Sequence, residues 1–217
     1  AGTETPLICD ADTGFGGLLN IRHTVRGFEA AGCAAIQLED QESPKRCGLT
    51  RGIRVVAVDE MVRRIEVALE ARADRHLLLV ARTDARAALG LNAAIERGAR
   101  YAQAGADVVF VQGIETEEEL RRVTAGIECP CIVNIAAPGA LGSLASSRLR
   151  ALGCRIAIYP GLAMLAATAA MSAVYETLRR DGSLVSLEQG LYDREAMHRL
   201  MGFEDVWAFE ARWRDPG

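Results

Sequence analysis

The sequence predicts an α/β fold in which a parallel sheet curls toward a barrel, and three observations predict it. Short runs rich in Val, Ile and Leu alternate with stretches of helical period almost to the end of the chain. Those runs are continuously apolar, as expected where helices cover a parallel sheet. Strand after strand then ends in polar residues: Asp10 and Asp12, Glu39 and Asp40, Arg82 and Asp84, Gln112, and Asn134. A doubly wound sheet gathers its site at one switch point, whereas a barrel gathers it from the carbonyl ends of many strands, so the distribution favours the barrel.

In chain order, strands are predicted over 7–12, 34–40, 77–83, 108–112, 131–135 and 155–159, with helices over 18–31, 59–71, 92–103, 117–125 and 146–152. The segments AAGCAAIQLED (30–40) and QAGADVVFVQG (103–113) repeat one rhythm of helix end, capping glycine and strand. A long Ala-rich helix over 162–180 and two short helical segments to about 212 complete the chain, and no linker or low-complexity stretch marks a second domain. A closed barrel of the (β/α)8 TIM type needs eight strands, and the helical tail cannot supply the two not found.

At 217 residues, half of them apolar and a quarter charged, the composition is that of a folded globular domain. A net charge of -4 provides no basic field for nucleic acid and no polybasic segment for a membrane surface. No apolar run reaches the roughly 20 residues of a membrane span, and AGTETPLICD has neither a charged nor an apolar leader region, so a cytoplasmic protein is expected. The six cysteines form no CxxC pair, and four lie in or beside apolar strand runs, where reduced, buried thiols are expected. Cys47 is the exception.

The chemistry concentrates in three places. In ICDADTGFGG (8–17), Asp10 and Asp12 stand two apart at a strand end and are expected on one side of it, with Glu39 ending the next strand. Clustered carboxylates repel unless a cation or shared protons compensate, and hard oxygen ligands suit Mg²⁺; capping a helix or pairing with arginine is the other use of such acids. A dinucleotide loop fits poorly, because its third glycine is replaced by Leu19. The loop EDQESPKRCGLTRG (39–52) is longer than an ordinary strand-to-helix connection and carries Lys45, Arg46 and Cys47 beside Gly48. A thiol among cations is the setting in which cysteine becomes reactive, against the alternative of a solvated basic loop with an incidental cysteine. In VARTDA (80–85), Arg82 can meet a carboxylate with its bidentate fork or form a structural ion pair. His23, His76 and His198 are weak candidate bases, and Cys129 and Cys131, flanking Pro130, have a spacing unsuited to zinc.

Together, DADTGFG, QLEDQ, PKRCG, ARTDA and GADVVFVQ, in this order and at these spacings, resemble the isocitrate lyase and phosphoenolpyruvate mutase superfamily, closest to its 2-methylisocitrate lyase, dimethylmalate lyase and carboxyphosphonoenolpyruvate mutase branch. The resemblance implies a (β/α)8 barrel lacking its first two βα units: a single domain over 1–217, with barrel strands 3–8 and their helices over 1–160 and a helical segment over 161–217. It implies Mg²⁺ as cofactor, with Asp10 as direct ligand and Asp12 and Glu39 holding its waters. By the same resemblance Arg82 grips the substrate's 2-oxo or 2-hydroxy carboxylate, Cys47 is the catalytic acid, and Gly48, Gln112 and Asn134 also bind substrate, Asn134 near the distal carboxylate. Leu49 stands where the lyases carry histidine, and Gln112 where the family carries glutamate.

The implied reaction is carbon–carbon cleavage of a 2-hydroxy di- or tricarboxylic acid to a 2-oxo acid such as pyruvate plus a second carboxylic acid. Mg²⁺ and Arg82 would stabilise the charge developing on the 2-oxo acid fragment, Cys47 would protonate the other fragment, and the loop would close over both. A phosphonomutase, an oxaloacetate-type hydrolase, or a catalytically defective oligomer partner are the alternatives. A homotetramer that swaps its C-terminal helices is the implied assembly.

Overall fold

The computed structural model describes residues 4–48, 50–136, 139–188 and 190–214. Leu49 and the Ala137–Pro138 pair of the segment after Asn134 lie outside the described residues. Six strands, β1 (Ile8–Asp10), β2 (Ala35–Glu39), β3 (Leu78–Thr83), β4 (Val108–Val111), β5 (Cys131–Asn134) and β6 (Cys154–Ile158), form one sheet in sequential order. Every neighbouring pair is parallel. The helices are α1 (Leu18–Ala30), α2 (Val58–Ala71), α3 (Ala85–Leu89), α4 (Leu91–Gln103), α5 (Glu117–Gly126), α6 (Ser146–Ala151), α7 (Leu162–Asp181), α8 (Arg194–Leu200) and α9 (Phe203–Trp213). This is a partial (β/α)8 barrel, with β1 and β6 as its two edges.

The period-two geometry of the strands sorts their side chains into two cores. One set, including Ile36, Leu38, Leu79, Ala81, Val109, Val111 and Val133, packs outward against Ile21 and Val25 of α1, Met61 and Ile65 of α2, Tyr101 of α4, and Leu120 and Val123 of α5. The other set, Ala35, Val80, Val108, Phe110 and Ile132 with Ile156 and Ile158, fills the concave face. Full burial of each such side chain contributes about 1.5–3 kcal/mol, which explains why both strand faces are apolar in the sequence. The helices supply the matching stripe: Met61, Ile65 and Ala68 recur on the buried face of α2, whose first turn carries Asp59 and Glu60 at the favourable end of the helix dipole.

The repeated glycine of the two matching segments does the expected work. Gly32 after α1 and Gly105 after α4 take φ values of +84° and +100°, the left-handed turn that ends a helix and feeds the next strand. Element positions agree with the sequence reading to within two residues at the strand ends, with two differences. Residues 85–89, which the periodicity does not single out, form the short helix α3, separated from α4 by Gly90 at φ +91°. The first strand also stops at Asp10, so Asp12 is not a strand residue at all.

Beyond Leu162 the chain forms a second compact unit from α7, α8 and α9. Within it, His198 stacks on Phe203 at 4.9 Å between ring centres, and Trp207 meets both rings edge-on at 5.7 Å. Large apolar side chains of this unit, among them Met171, Tyr175, Leu200, Phe209 and Trp213, are exposed. Among the described residues no helix is long and apolar enough to cross a membrane.

Candidate active site

At the carbonyl ends of the strands, the concave face changes from apolar to polar. Moving up each strand from the inner core, the next inward positions are Asp10, Gln37 followed by Glu39, Arg82, Gln112 and Asn134. A cavity of about 610 Å³ opens there, lined by Asp10, Lys45, Arg46, Cys47, Gly48, Arg82, Gln112 and Asn134 above a floor that includes Phe110, Ile132 and Ile158. Six of the eight residues singled out in the sequence therefore line one cavity. The other two, Asp12 and Glu39, reach it through a shared cation, Lys45.

The acids are held in an unexpected way. Asp10 and Asp12 do not share a strand face; Asp12 has left-handed backbone at φ +51°, and its N–H donates to Asp10 Oδ1 at 3.0 Å. The strand alternation that places them together is thus corrected to a tight turn. A non-glycine residue held at positive φ is uncommon and is maintained where the surroundings fix it. Lys45 Nζ pairs with Asp12 and lies 3.8 Å from Asp10 and 3.7 Å from Glu39. Glu39 is fully buried, and neither of its carboxylate oxygens has a hydrogen-bond partner. Burial pushes the Glu39 carboxyl up to about 7, opposed by Arg82 and Lys45 and reinforced by Asp84 and Asp10. Burial also works against the Lys45 charge, but Asp12, Glu39 and Asp10 outweigh it and raise the ammonium above its ordinary value.

Arg82 stands opposite Glu39 in the β2–β3 register. Its Nε and Nη2 donate to the two oxygens of Asp84, each at 2.9 Å, and Nε lies 3.4 Å from Glu39. The guanidinium carbon sits 5.3 Å from the centre of the Phe110 ring. Against burial, Asp84 and Glu39 hold Arg82 above its ordinary pKa, so it is a permanent cation at the cavity wall.

Asp84 is in turn suspended from Asp40, which the fold places beneath the site. Asp40 accepts from the Asp84 N–H at 3.0 Å, Thr83 Oγ1 at 2.7 Å, Tyr101 Oη at 2.8 Å and Arg97 Nη1 at 3.2 Å. Burial raises its carboxyl, and these four donors pull it back. In the sequence Asp40 reads as one more strand-end acid, and nothing there points to this support. Its donors lie 43 to 61 residues away, and no local pattern connects them.

The loop that carries Cys47 is built on a clamped stem. Gln41 bridges Val55, the Glu42 N–H donates to Arg54 O, and the buried Gln41 side chain exchanges two 3.0 Å hydrogen bonds with the backbone of Arg46. The exposed Cys47 and Gly48 follow immediately, over Arg82 and Gln112. On the far wall, Asn134 Nδ2 donates to Gln112 Oε1 at 3.3 Å, while Asn134 Oδ1 is buried without a hydrogen-bond partner.

A family profile described as phosphoenolpyruvate phosphomutase matches residues 1–179. The chain is 39% identical to 2,3-dimethylmalate lyase of Eubacterium barkeri over 93% of this chain and 70% of that protein. It is 37% identical to 2-methylisocitrate lyase of Aeropyrum pernix over 93% of this chain and 65% of that protein. This chain belongs to the phosphoenolpyruvate phosphomutase family. The crystal structure of another protein of similar fold, phosphonopyruvate hydrolase in complex with oxalate and Mg²⁺, aligns with a TM-score of 0.82 at 33% identity, over 98% of this chain and 74% of that one. The cavity lies at the carbonyl end of the strands, the end at which TIM-type barrels in general vary their loops to change chemistry.

Among the described residues, no three His, Cys, Asp or Glu side chains converge on one ion position. The acids instead surround an ammonium and leave both Glu39 oxygens without donors. A hydrated cation fits such a set: one carboxylate bound directly and others reached through water, the way Mg²⁺ commonly binds.

Proposed function

We propose that this chain is a Mg²⁺-dependent carbon–carbon lyase that cleaves a 2-hydroxy di- or tricarboxylic acid, 2-methylisocitrate or dimethylmalate in type, to a 2-oxo acid such as pyruvate and a second carboxylic acid. The observation that carries the reading is the presence of the Cys47 thiol, the Arg82 guanidinium and the Asp10 carboxylate on the walls of one cavity. Its relatives named as 2,3-dimethylmalate and 2-methylisocitrate lyases support the same reaction class.

Asp10 would hold Mg²⁺ directly, with Asp12 and Glu39 binding its waters. When bound, the metal would supply positive charge against the negative charge on the substrate's 2-hydroxyl oxygen as it loses its proton. Arg82, whose Nε and Nη2 are braced by Asp84, would meet the 2-oxo acid fragment's carboxylate with the guanidinium N–H groups that Asp84 leaves free. Gln112 and Asn134 present neutral amides to the distal part of the substrate, and the unpartnered Asn134 Oδ1 is available to a donor there. As the 2-hydroxyl group loses its proton, its oxygen electrons form the carbonyl of the 2-oxo acid and the electron pair of the breaking carbon–carbon bond passes to the second fragment. Cys47 donates a proton to that carbon, and the proton released from the hydroxyl restores the thiol. Gly48 and the clamped loop exclude water from the carbanion-like fragment. The exposed apolar side chains of α7–α9 support assembly into a tetramer through exchanged helices, and the composition supports a cytoplasmic enzyme.

The test is pyruvate release from 2,3-dimethylmalate and 2-methylisocitrate by the full chain, with Mg²⁺ and with EDTA. Release that needs the metal and disappears in Cys47→Ser supports the lyase. Turnover of phosphonopyruvate or oxaloacetate instead would transfer the site to the mutase or hydrolase reading. Absence of any turnover would leave an oligomer partner.

A further inference from the structure

Lys45 is the residue that the proposed chemistry does not use, yet it occupies the centre of the acid cluster. Its ammonium comes from the loop, whereas its partners come from the end of β1, the turn after it and β2: Asp12 in direct contact, Glu39 at 3.7 Å and Asp10 at 3.8 Å. The Glu39 side chain is wholly buried and both of its oxygens lack hydrogen-bond donors, so among the described residues the cations that offset its charge are Lys45 and Arg82, the latter at 3.4 Å. Arg82 is committed to Asp84 through two hydrogen bonds. Lys45 is therefore the cation that lets the three acids stand together, and its side chain, 30% exposed, approaches from the open side of the cavity.

The geometry points to Lys45 as a tethered cation that holds the place of the divalent metal, an inference that rests on the reading of this cluster as the Mg²⁺ site. The Lys45 ammonium already occupies the space between the three carboxylates, so a second cation entering there would meet a like charge at close range in a partly buried setting. Metal entry then displaces the ammonium, and because Lys45 is two residues from Cys47, the loop bearing the thiol moves with it. The displaced ammonium remains on the cavity wall, where an anionic substrate replaces the acids as its partner. Metal occupancy and loop position are thereby coupled through one side chain.

The test is calorimetric titration of the full chain with Mg²⁺ alone, comparing wild type, Lys45→Met and Lys45→Arg, together with the rate of Cys47 alkylation with and without metal. Removing the competing charge should tighten Mg²⁺ binding about tenfold in Lys45→Met, the scale of one partly screened ion-pair cluster. Lys45→Arg should stay near wild type. Mg²⁺ should change the Cys47 alkylation rate several-fold in wild type and leave it unchanged in Lys45→Met. If Lys45→Met binds Mg²⁺ no more tightly than wild type, while Asp10→Ala abolishes binding in both, the placeholder role is wrong and the metal site stands. If neither wild type nor Lys45→Met binds Mg²⁺, the metal site itself fails, and the inference with it.

Discussion

Arg82 passes so close to Gly48 that a β-carbon at position 48 would collide with its terminal nitrogen, and the same β-carbon would meet Asp84 Oδ1 at 2.7 Å. Glycine is therefore the residue that fits where the loop seats on Arg82. Gly48→Ala should lift the loop and lower kcat/KM by roughly 100-fold, the scale of an ångström-sized misplacement. Since Gly48 lies on an exposed-loop segment, thermal unfolding should shift by the equivalent of no more than about 0.5 kcal/mol. Near-wild-type kcat/KM would show that the loop need not approach Arg82 this closely.

Asp40 carries four donors in a fully buried setting. Asp40→Asn strips the counter-charge from Arg97 while keeping the shape, and urea denaturation should register a loss of about 3–5 kcal/mol. Because Asp84 hangs from the same carboxylate, the variant should also raise KM through a less well-held Arg82. Adding Arg97→Met should recover part of the stability but not the KM. Equal stability of Asp40→Asn and wild type would mean that Arg97 finds its charge balance elsewhere.

Gly98 provides the contrasting case, far from the cavity. In α4, a β-carbon there would come within 2.5 Å of Ile127 Cδ1 and 3.2 Å of Val109 Cγ1. Gly98→Ala gains helix propensity but overpacks the helix–sheet layer, for a net loss of about 1–2 kcal/mol. Chemical denaturation should show it, with kcat/KM per folded molecule unchanged.

The thiols should separate by reactivity in alkylation followed by peptide mapping at pH 8. Cys47 is exposed and should react first; Cys131 and Cys154 are buried and should react last. Burial and the neighbouring Cys33 thiol, whose sulfur is 2.8 Å away, push Cys9 up to about 11, and burial pushes Cys131 to about 12. A raised thiol pKa means less thiolate at pH 8, so labelling of Cys9 should remain slow and accelerate only as pH nears 11. Simultaneous labelling of Cys47 and Cys131 would contradict the burial of β5.

Much of the fold was legible because its signals are local. Continuous apolar runs over Ile36–Leu38 and Val108–Val111 follow from packing on both faces of each strand, and glycines 32 and 105 follow from the left-handed turn each supplies. The candidate site was legible as strand-end residues because a parallel barrel directs one end of all its strands to the same place. Alternation puts Asp12 in the strand because it assumes extended backbone, and a turn at φ +51° leaves no mark in hydropathy. Helix α3 is not legible in the sequence because five residues, ARAAL, are too few to show a period.

By itself, then, the sequence determined the order of strands and helices, the polar carbonyl ends of the strands, and the family to which those motifs belong. Only the tertiary structure decided that Lys45 sits among Asp10, Asp12 and Glu39, that Asp40 suspends Asp84 and thereby Arg82, and that Gly48 is pressed against that arginine. The physical reason is range. Hydrophobic periodicity and capping act within a few turns of chain, whereas the balance of buried charges depends on groups that meet only after the sheet has curled and the long loop has been clamped across its mouth.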